Sequence, residues 1–213
     1  MASSSAAVPL AIIDYGVGNL RSVEKAFHAA GREAVVSADE KVLARAERLV
    51  LPGVGAFGEC MKELRARGFD ALVRRRAAEG VPTLGVCVGM QMLFEESEEL
   101  GRSEGLGLMR GRVRRFSAEM LVPQVGWNQV RWARAHPLAE GLEDGEFYYF
   151  VHSYFCEAAD ASVVLGRTEY GAEYASVVAR GAVCGVQFHP EKSQRAGLRL
   201  LGNFARMSAA ASV

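Results

Sequence analysis

The sequence lacks the features of membrane proteins, secreted proteins and non-specific nucleic-acid-binding proteins. Its 213 residues contain no run of 18 apolar residues, the length that would indicate a membrane-spanning helix. The 25 basic side chains are balanced by 25 acidic ones, so nothing favours binding to nucleic acid through charge alone. Residues 1–8 lack the basic segment and apolar block of a secretory signal, and we expect them to form a flexible tail.

Cysteine is scarce and widely spaced. The four cysteines form no Cys-x-x-Cys pair, so neither a disulfide framework nor a structural zinc site is expected. Three of the histidines, at positions 28, 136 and 152, show no metal-ligand spacing. Gly16 and Gly18 lack the third glycine and the acidic residue of a dinucleotide-binding fingerprint. We therefore expect a cytoplasmic protein with reduced thiols, no metal and no organic cofactor.

Apolar residues are plentiful, at 50% of the chain, and alternate first between strand and helix patterns. The predicted strands are 10–14, 33–37, 49–51 and 83–86, and the predicted helices are 20–30, 57–67 and 69–79. Such alternation predicts right-handed βαβ units and a mostly parallel sheet flanked by helices.

The pattern changes after residue 101. Strand-like segments without long helices between them cover 106–116, 129–132, 147–155, 162–168, 174–179 and 182–188, and the last two are expected to form an antiparallel pair. Residues 194–207 read as a closing helix, and residues 209–213 are expected to be frayed. With no repeat and no linker, we predict a single α/β domain over residues 9–208 with a mixed or antiparallel second half.

Cys87 lies in the most informative segment of the chain. A strand-like stretch leads into Gly-Val-Cys-Val-Gly at residues 85–89, and a helix-like stretch over residues 90–96 follows at once. This is the pattern of a nucleophile elbow, in which flanking glycines allow close backbone approach around a reactive side chain. A thiol at the N-terminus of a helix is expected to favour the thiolate.

His189 and Glu191, in Gln-Phe-His-Pro-Glu at residues 187–191, are the partners that such a nucleophile needs. They are two residues apart, so their side chains point the same way on an extended segment, which Pro190 favours for the residue before it. In acyl transfer, Cys87 would attack a carbonyl, His189 would carry the proton and Glu191 would orient the imidazole. Each residue alone has a structural explanation, but together they indicate a Cys-His-Glu triad.

Acyl transfer also needs backbone N–H groups that bind an oxyanion. Val88 follows the predicted nucleophile directly, and a Pro-Gly-Val-Gly turn over residues 52–55 ends a predicted strand. Taken alone, the glycine-rich turn is explained more simply as a reversal of the chain direction than as an oxyanion site. We expect the N–H groups of Val54 and Val88 to bind the oxyanion, and Gly53 to tolerate a peptide flip that aims the N–H of Val54.

These motifs together resemble the class I (triad-type) glutamine amidotransferases, and more closely the glutaminase subunits of imidazole glycerol phosphate synthase. The elbow and the His-Pro-Glu segment are common to the whole class. The closer likeness rests on Asp-Tyr-Gly-Val-Gly-Asn, Gly-Trp-Asn and Val-His-Ser-Tyr. The matching segments are 14–23, 51–57, 85–91, 94–98, 125–128, 149–154 and 185–193. The resemblance covers nearly the whole chain and implies a flavodoxin-like fold.

The resemblance implies hydrolysis of glutamine to glutamate and ammonia through a glutamyl thioester on Cys87. The substrate-binding residues that it implies are Gly53, Gly55, Gln91, Val151, Ser153 and Tyr154, with Glu99 as a further candidate for holding the substrate ammonium. Gln91 follows Cys87 by one helical turn and can therefore face the same pocket, although a solvated helix position would show the same spacing.

The resemblance also implies a partner, a (β/α)8-barrel cyclase subunit that forms a heterodimer with this chain and uses the ammonia in histidine biosynthesis. Ammonia must stay unprotonated to act as a nucleophile, so a sealed path between the subunits is expected. The interface or gating candidates are Asn19, Trp127, Tyr149 and Lys192. Trp127 lies between a glycine and an asparagine, which suits an exposed interface hot spot more than a residue of the core. An ordinary core tryptophan remains the alternative.

Two other functions stay open. The chain could be the glutaminase of another amidotransferase, or another enzyme on the same elbow, although Gly-Trp-Asn and Val-His-Ser-Tyr disfavour this. It could also be a non-catalytic binding subunit that kept the fold, against which the intact Cys87, His189 and Glu191 argue.

Overall fold

Strands and helices alternate along the first half of the computed structural model, which describes residues 8–208. The elements are β1 (Ala11–Ile13), α1 (Leu20–Ala29), β2 (Val35–Ser37), α2 (Glu40–Leu43), β3 (Leu49–Gly53), α3 (Phe57–Ala66), α4 (Phe69–Ala78), β4 (Thr83–Cys87) and α5 (Val88–Gln91). Most of the predicted tail and the predicted frayed end, 1–7 and 209–213, lie outside the described residues. Val8, the last residue of the predicted tail, is ordered in a parallel bridge with Ala46.

The second half consists mainly of strands. The elements are β5 (Glu96–Ser97), β6 (Ser103–Glu104), β7 (Gly111–Arg115), β8 (Gln124–Trp132), β9 (Glu146–His152), β10 (Tyr154–Ala158), β11 (Val164–Tyr170), β12 (Ala172–Arg180), β13 (Val183–Val186) and α6 (Gln194–Phe204). Short 3-10 turns lie at Pro137–Ala139, Ala161–Val163 and Pro190–Lys192.

One large sheet joins the two halves. Its first five strands run parallel in the order β2-β1-β3-β4-β13, so the last strand of the chain lies beside β4. From β13 the sheet continues through antiparallel pairings to β12, β10 and β7, and a branch from β12 carries β11, β8 and β9. The predicted fold class, α/β with a mixed second half, is confirmed.

The core lies around the parallel strands because helices cover them. Every residue of β1, β3 and β4 is buried, as expected for parallel strands with both faces protected. Helix α1 buries Val23, Ala26 and Phe27, spaced three and four residues apart along one helical face. The ring of Phe27 lies 6.5 Å from that of Phe204 in α6, so the first and last helices pack against each other.

Three expected elements differ from the structure, two of them for a common physical reason. The helix expected over residues 90–96 is the four-residue α5 (Val88–Gln91), because the backbone carbonyls of Met92, Leu93 and Phe94 accept N–H groups from residues 106–109. That pairing also takes the start of segment 106–116 out of the sheet, so that strand β7 begins at residue 111. The expected strand over residues 147–155 is two strands, which separate at Ser153.

Candidate active site

The site lies where the parallel strands end. Gly53 pairs with Cys87 across β3 and β4, and Val186 pairs with Val86 across β13 and β4. Since the carboxyl ends of parallel strands meet at one edge of a sheet, the segment after β13 carries His189 to the side of Cys87. The sheet order thus brings together two residues that lie about a hundred positions apart in the sequence.

Cys87 occupies a sharp turn between strand and helix. Its φ of 55° and ψ of −115° are unusual for a residue with a side chain, and such strain is typical of functional positions. A Cβ on Gly89 would lie 1.9 Å from the carbonyl oxygen of Leu51, so the elbow packs backbone against backbone on β3. Because α5 is a single turn, its N-terminus acts on the Cys87 thiol only through its first N–H groups.

His189 and Glu191 form the ion pair that the sequence predicted. The Nδ1 of His189 lies 2.8 Å from Oε1 of Glu191, and both side chains are buried. The Nε2 of His189 is also buried and makes no hydrogen bond to a described residue. His189 and Cys87 line the same cavity of about 350 Å³, so the second ring nitrogen is available on the Cys87 side.

The electrostatics of His189 favour its cation. Burial acts to lower the pKa of the imidazole, but interactions with the Cys87 sulfur and the Glu191 carboxylate outweigh it and raise the pKa to about 10. A protonated imidazole beside Cys87 stabilises negative charge on the sulfur. The pair is therefore suited to nucleophilic attack at neutral pH.

The pKa of His189 gives a testable titration. We expect NMR to place the imidazole midpoint well above 6.5 in the wild type and lower in Cys87→Ala, which removes one of the two stabilising interactions. Since the pKa of His189 is higher in the folded than in the unfolded protein, protonation of His189 stabilises the fold. This contribution of His189 to the free energy of unfolding is complete below about pH 6.5 and is lost as the pH rises toward 10. An identical midpoint in both proteins would contradict the coupling to Cys87.

The predicted substrate-binding residues cluster around the same cavity, with one exception. Besides the nucleophile and the histidine, the lining residues are Val54, Gly55, Val88, Gln91, Glu99, Pro123, Val151, His152, Ser153, Tyr154 and Lys192. Gly53 does not line the cavity. A Cβ there would lie 2.7 Å from the N of Gly89, so its position is one of close backbone approach to the elbow.

Gln91 belongs to a buried amide network and is not a solvated helix position. Its Nε2 donates to the carbonyl oxygen of Tyr154 at 3.0 Å and to Oε1 of Gln187 at 3.1 Å. The Nε2 of Gln187 in turn lies 3.9 Å from the sulfur of Cys87. No role was assigned to Gln187 from the sequence, although its position two residues before His189 in an extended segment places its side chain on the same side.

His152 is a second residue to which no individual role was assigned from the sequence. Its Nδ1 lies 2.8 Å from the carbonyl oxygen of Tyr154, and its Nε2 lies 3.2 Å from the hydroxyl of Tyr174. Burial, with a further contribution from His189, lowers the pKa of His152 to about 4. His152 is therefore neutral at pH 7 and holds the wall of the cavity through fixed hydrogen bonds.

An exposed apolar face lies on strands β8 and β9 next to the cavity. Trp127 is 46% exposed, with Val125 at 59% and Phe147 at 52% on the same face. The ring of Trp127 lies 6.0 Å from that of Tyr149, and the Nζ of Lys192 lies 5.5 Å from the Tyr149 ring. Three of the four predicted interface residues thus lie side by side, which disfavours the reading of Trp127 as a core residue.

The fourth interface candidate, Asn19, is exposed at the start of α1, in the segment that follows β1. It therefore lies at the same edge of the sheet as the cavity, because β1 runs parallel to β3.

Strand β9 is joined directly to the His189 segment. The N–H of His189 donates to the carbonyl oxygen of Tyr149 at 2.9 Å. The hydroxyl of Ser193 accepts the N–H of Tyr149 at 3.0 Å and donates to the carbonyl oxygen of His189 at 2.7 Å. The exposed face and the ion pair are therefore parts of one hydrogen-bonded unit.

Metal clusters and membrane helices do not occur in the described residues. Between residues 8 and 208, no three His, Cys, Asp or Glu side chains are grouped so as to hold a metal ion. Across the same range, every helix is too short or too polar to cross a bilayer. The four cysteines are unpaired and buried.

Comparison with known proteins gives consistent matches. The sequence profile of the family described as "Glutamine amidotransferase class-I" matches residues 11–207. The chain is 52% identical over 198 residues to the imidazole glycerol phosphate synthase subunit HisH of Symbiobacterium thermophilum, covering 93% of each chain. It is 49% identical to the HisH subunit of Syntrophotalea carbinolica, covering 93% of this chain and 100% of that one. A crystal structure of a glutamine amidotransferase shares the fold, with a TM-score of 0.74 at 24% identity over 93% of this chain and 99% of that one.

Proposed function

The chain belongs to the class-I glutamine amidotransferase family, among the HisH subunits of imidazole glycerol phosphate synthase, and from this premise we propose how it works. It hydrolyses glutamine to glutamate and ammonia, and delivers the ammonia to a cyclase subunit. The observation that carries the proposal is the position of Cys87 on a strained elbow, where it lines one cavity with His189, whose other ring nitrogen is paired with Glu191. This arrangement also disfavours a non-catalytic subunit, since backbone strain of this kind costs about 1–3 kcal/mol.

The first half of the reaction forms a thioester. The sulfur of Cys87, as thiolate, attacks the side-chain amide carbon of glutamine, and the carbonyl oxygen becomes an oxyanion bound by the N–H groups of Val54 and Val88. The Nε2 proton of His189 passes to the amide nitrogen. The carbon–nitrogen bond then breaks, and ammonia leaves a glutamyl thioester on Cys87.

The second half releases glutamate. The neutral His189 removes a proton from a water molecule, whose oxygen attacks the thioester carbon. The carbon–sulfur bond breaks, and the thiolate of Cys87 and the cation of His189 are restored. The carboxylate of Glu191 accepts from Nδ1 and fixes the tautomer and orientation of the ring.

The walls of the cavity supply substrate contacts. Gly55, Gln91, Val151, Ser153 and Tyr154 surround the space next to Cys87, and Gly53 sets the close approach of the turn to the elbow. One oxygen of Glu99 accepts the N–H of Phe57 at 2.7 Å, which fixes the carboxylate at the rim of the cavity. This negative charge suits the α-ammonium group of glutamine.

The exposed face of β8 and β9 is the docking surface in this proposal. It is apolar, lies beside the cavity and carries an aromatic pair of the kind enriched in interface hot spots. The partner is a (β/α)8-barrel cyclase subunit, and Asn19, Trp127, Tyr149 and Lys192 contact it or gate the passage of ammonia. The unpaired thiols suit a reducing compartment, and we place the heterodimer in the cytoplasm.

A glutaminase assay tests the function. The purified chain should release glutamate slowly on its own and faster when the cyclase subunit and its nucleotide substrate are added. A rate of glutamate release that neither the cyclase subunit nor its nucleotide raises would contradict the gating role. No glutamate release under any of these conditions would contradict the proposed activity itself.

Trp127→Ala tests the docking surface. Loss of a hot-spot tryptophan typically costs 2 kcal/mol or more, so we expect the dissociation constant of the heterodimer to rise by about 30-fold or more. Trp132→Ala is a matched control, because Trp132 lies on the same strand and its indole N–H donates to the carbonyl oxygen of Glu143. Isothermal calorimetry gives both constants, and equal effects of the two substitutions would remove Trp127 from the interface.

A further inference from the structure

Two buried side chains that the proposed reaction does not use lie against the turn that carries Val54. Tyr15, in the loop after β1, donates its hydroxyl proton to the carbonyl oxygen of Pro52 at 2.7 Å. Cys60, in the first half of α3, donates from its sulfur to the carbonyl oxygen of Val54 at 3.3 Å. Both side chains are fully buried.

The two hydrogen bonds hold two different peptide groups. The oxygen of Pro52 belongs to the peptide that joins it to Gly53, and the oxygen of Val54 belongs to the peptide that joins it to Gly55. A peptide group is planar, so holding its oxygen also holds its N–H. The peptide between Gly53 and Val54, which carries the proposed oxyanion donor, lies between these two anchors, and neither hydrogen bond involves it.

Both anchors remain donors at physiological pH. Burial raises the pKa of Tyr15 far above its ordinary value. Burial also raises the pKa of Cys60, against the opposing effects of its contacts with Tyr15 and Val54. Neither group therefore loses its proton in the range in which the enzyme works.

We propose that Tyr15 and Cys60 are positioning residues that fix the peptides on both sides of the Gly53–Val54 peptide and so confine its rotation about the oxyanion position. This inference rests on the proposed function, because it concerns the stabilisation of the same oxyanion. The downstream end of the turn is held as well, since Glu99 accepts the N–H of Phe57 at the start of α3. The turn is thus anchored at three points around one movable peptide.

The test compares Tyr15→Phe, Cys60→Ala and Cys60→Ser in the complex with the cyclase subunit. Loss of an oxyanion donor costs about 10²–10³ in kcat, and misorienting one should cost less, so we expect kcat to fall about tenfold in Tyr15→Phe and Cys60→Ala. KM for glutamine should stay within about twofold, because the anchors do not touch the substrate. Cys60→Ser keeps a donor and should recover most of the loss.

Alkylation of Cys87 by iodoacetamide separates positioning from folding. This displacement at a saturated carbon forms no oxyanion, so its rate, followed by mass spectrometry of the Cys87 peptide, should be unchanged in all three variants. Cys184→Ala is the matched control, since Cys184 is equally buried and lies at the opposite end of the strand pair β4–β13. It should match the wild type in both assays.

The outcomes are distinct. A fall in kcat with unchanged alkylation supports the inference. The inference is wrong if the variants hydrolyse glutamine at the same rate as Cys184→Ala. It is also wrong if kcat and the alkylation rate fall together, because the two side chains would then support only the fold. A wild-type complex that releases no glutamate overturns the proposed function first, and the inference with it.

Discussion

Cys87→Ala is expected to abolish glutamine hydrolysis while leaving the protein folded and able to bind the cyclase subunit. Without the sulfur no thioester forms, and removal of a nucleophile from a triad costs on the order of 10⁶-fold in kcat. The change removes a single buried atom, so the elbow should keep its packing. Glutamate release measured in the presence of the cyclase subunit, with calorimetric titration of the heterodimer, checks both parts.

Cys184→Ala is again the appropriate control, because it removes an equally buried sulfur from the strand next to β4. It should retain wild-type turnover. Persistent glutaminase activity in Cys87→Ala would remove Cys87 from the role of nucleophile. Loss of both activity and heterodimer binding would instead indicate that the substitution had damaged the fold, and circular dichroism would detect this.

Gly89→Ala is expected to give a large loss of stability. The new Cβ would lie 1.9 Å from the carbonyl oxygen of Leu51, which is a backbone atom in the centre of β3. Relief requires the elbow at the start of α5 to move away from β3, beside the point where β3 and β4 form the site. Overpacking of this kind costs about 3 kcal/mol or more, which lowers Tm by roughly 6–12 °C in a domain of this size.

Gly202→Ala is the matched control for this substitution. Gly202 is buried in α6, and the nearest atom to a new Cβ there would be at 3.8 Å, an ordinary contact. Alanine favours a helix over glycine by about 1 kcal/mol, so Tm should stay the same or rise. Thermal unfolding of both variants checks the contrast, and a similar Tm for the two would contradict the close packing of the elbow.

Local patterns predicted the parts of the fold that local forces determine. The alternation of strands and helices before Cys87 and the antiparallel pair β12–β13 follow from periodicity and turn residues over short windows. The end of the elbow helix does not, because hydrogen bonds from residues 106–109 compete for the carbonyl groups that would continue it. A contact of that range leaves no trace in the periodicity of residues 90–96.

The site shows the same division. The His189–Glu191 pair is encoded by a spacing of two residues, and the position of Cys87 by the glycines around it. Gln187 and His152 escaped notice because their contacts, to the Cys87 sulfur and to Tyr174, depend on how distant strands pair. Tyr15 escaped notice for the same reason, since the carbonyl group of Pro52 that it contacts is 37 residues away. The contact of Cys60 with Val54 spans only six residues, but it depends on the geometry of the turn between β3 and α3.

The place of β13 in the sheet determines when the enzyme can first form its site during synthesis. Strand β4 borders β13 on one side, yet Gln187, just past β13, follows Cys87 by 100 residues. At a ribosomal rate of 5–20 residues per second, roughly 5–20 s pass between the synthesis of β4 and the synthesis of β13, with which it pairs. During that interval the nascent chain exposes the edge of an apolar strand, the kind of surface that chaperones shield from aggregation.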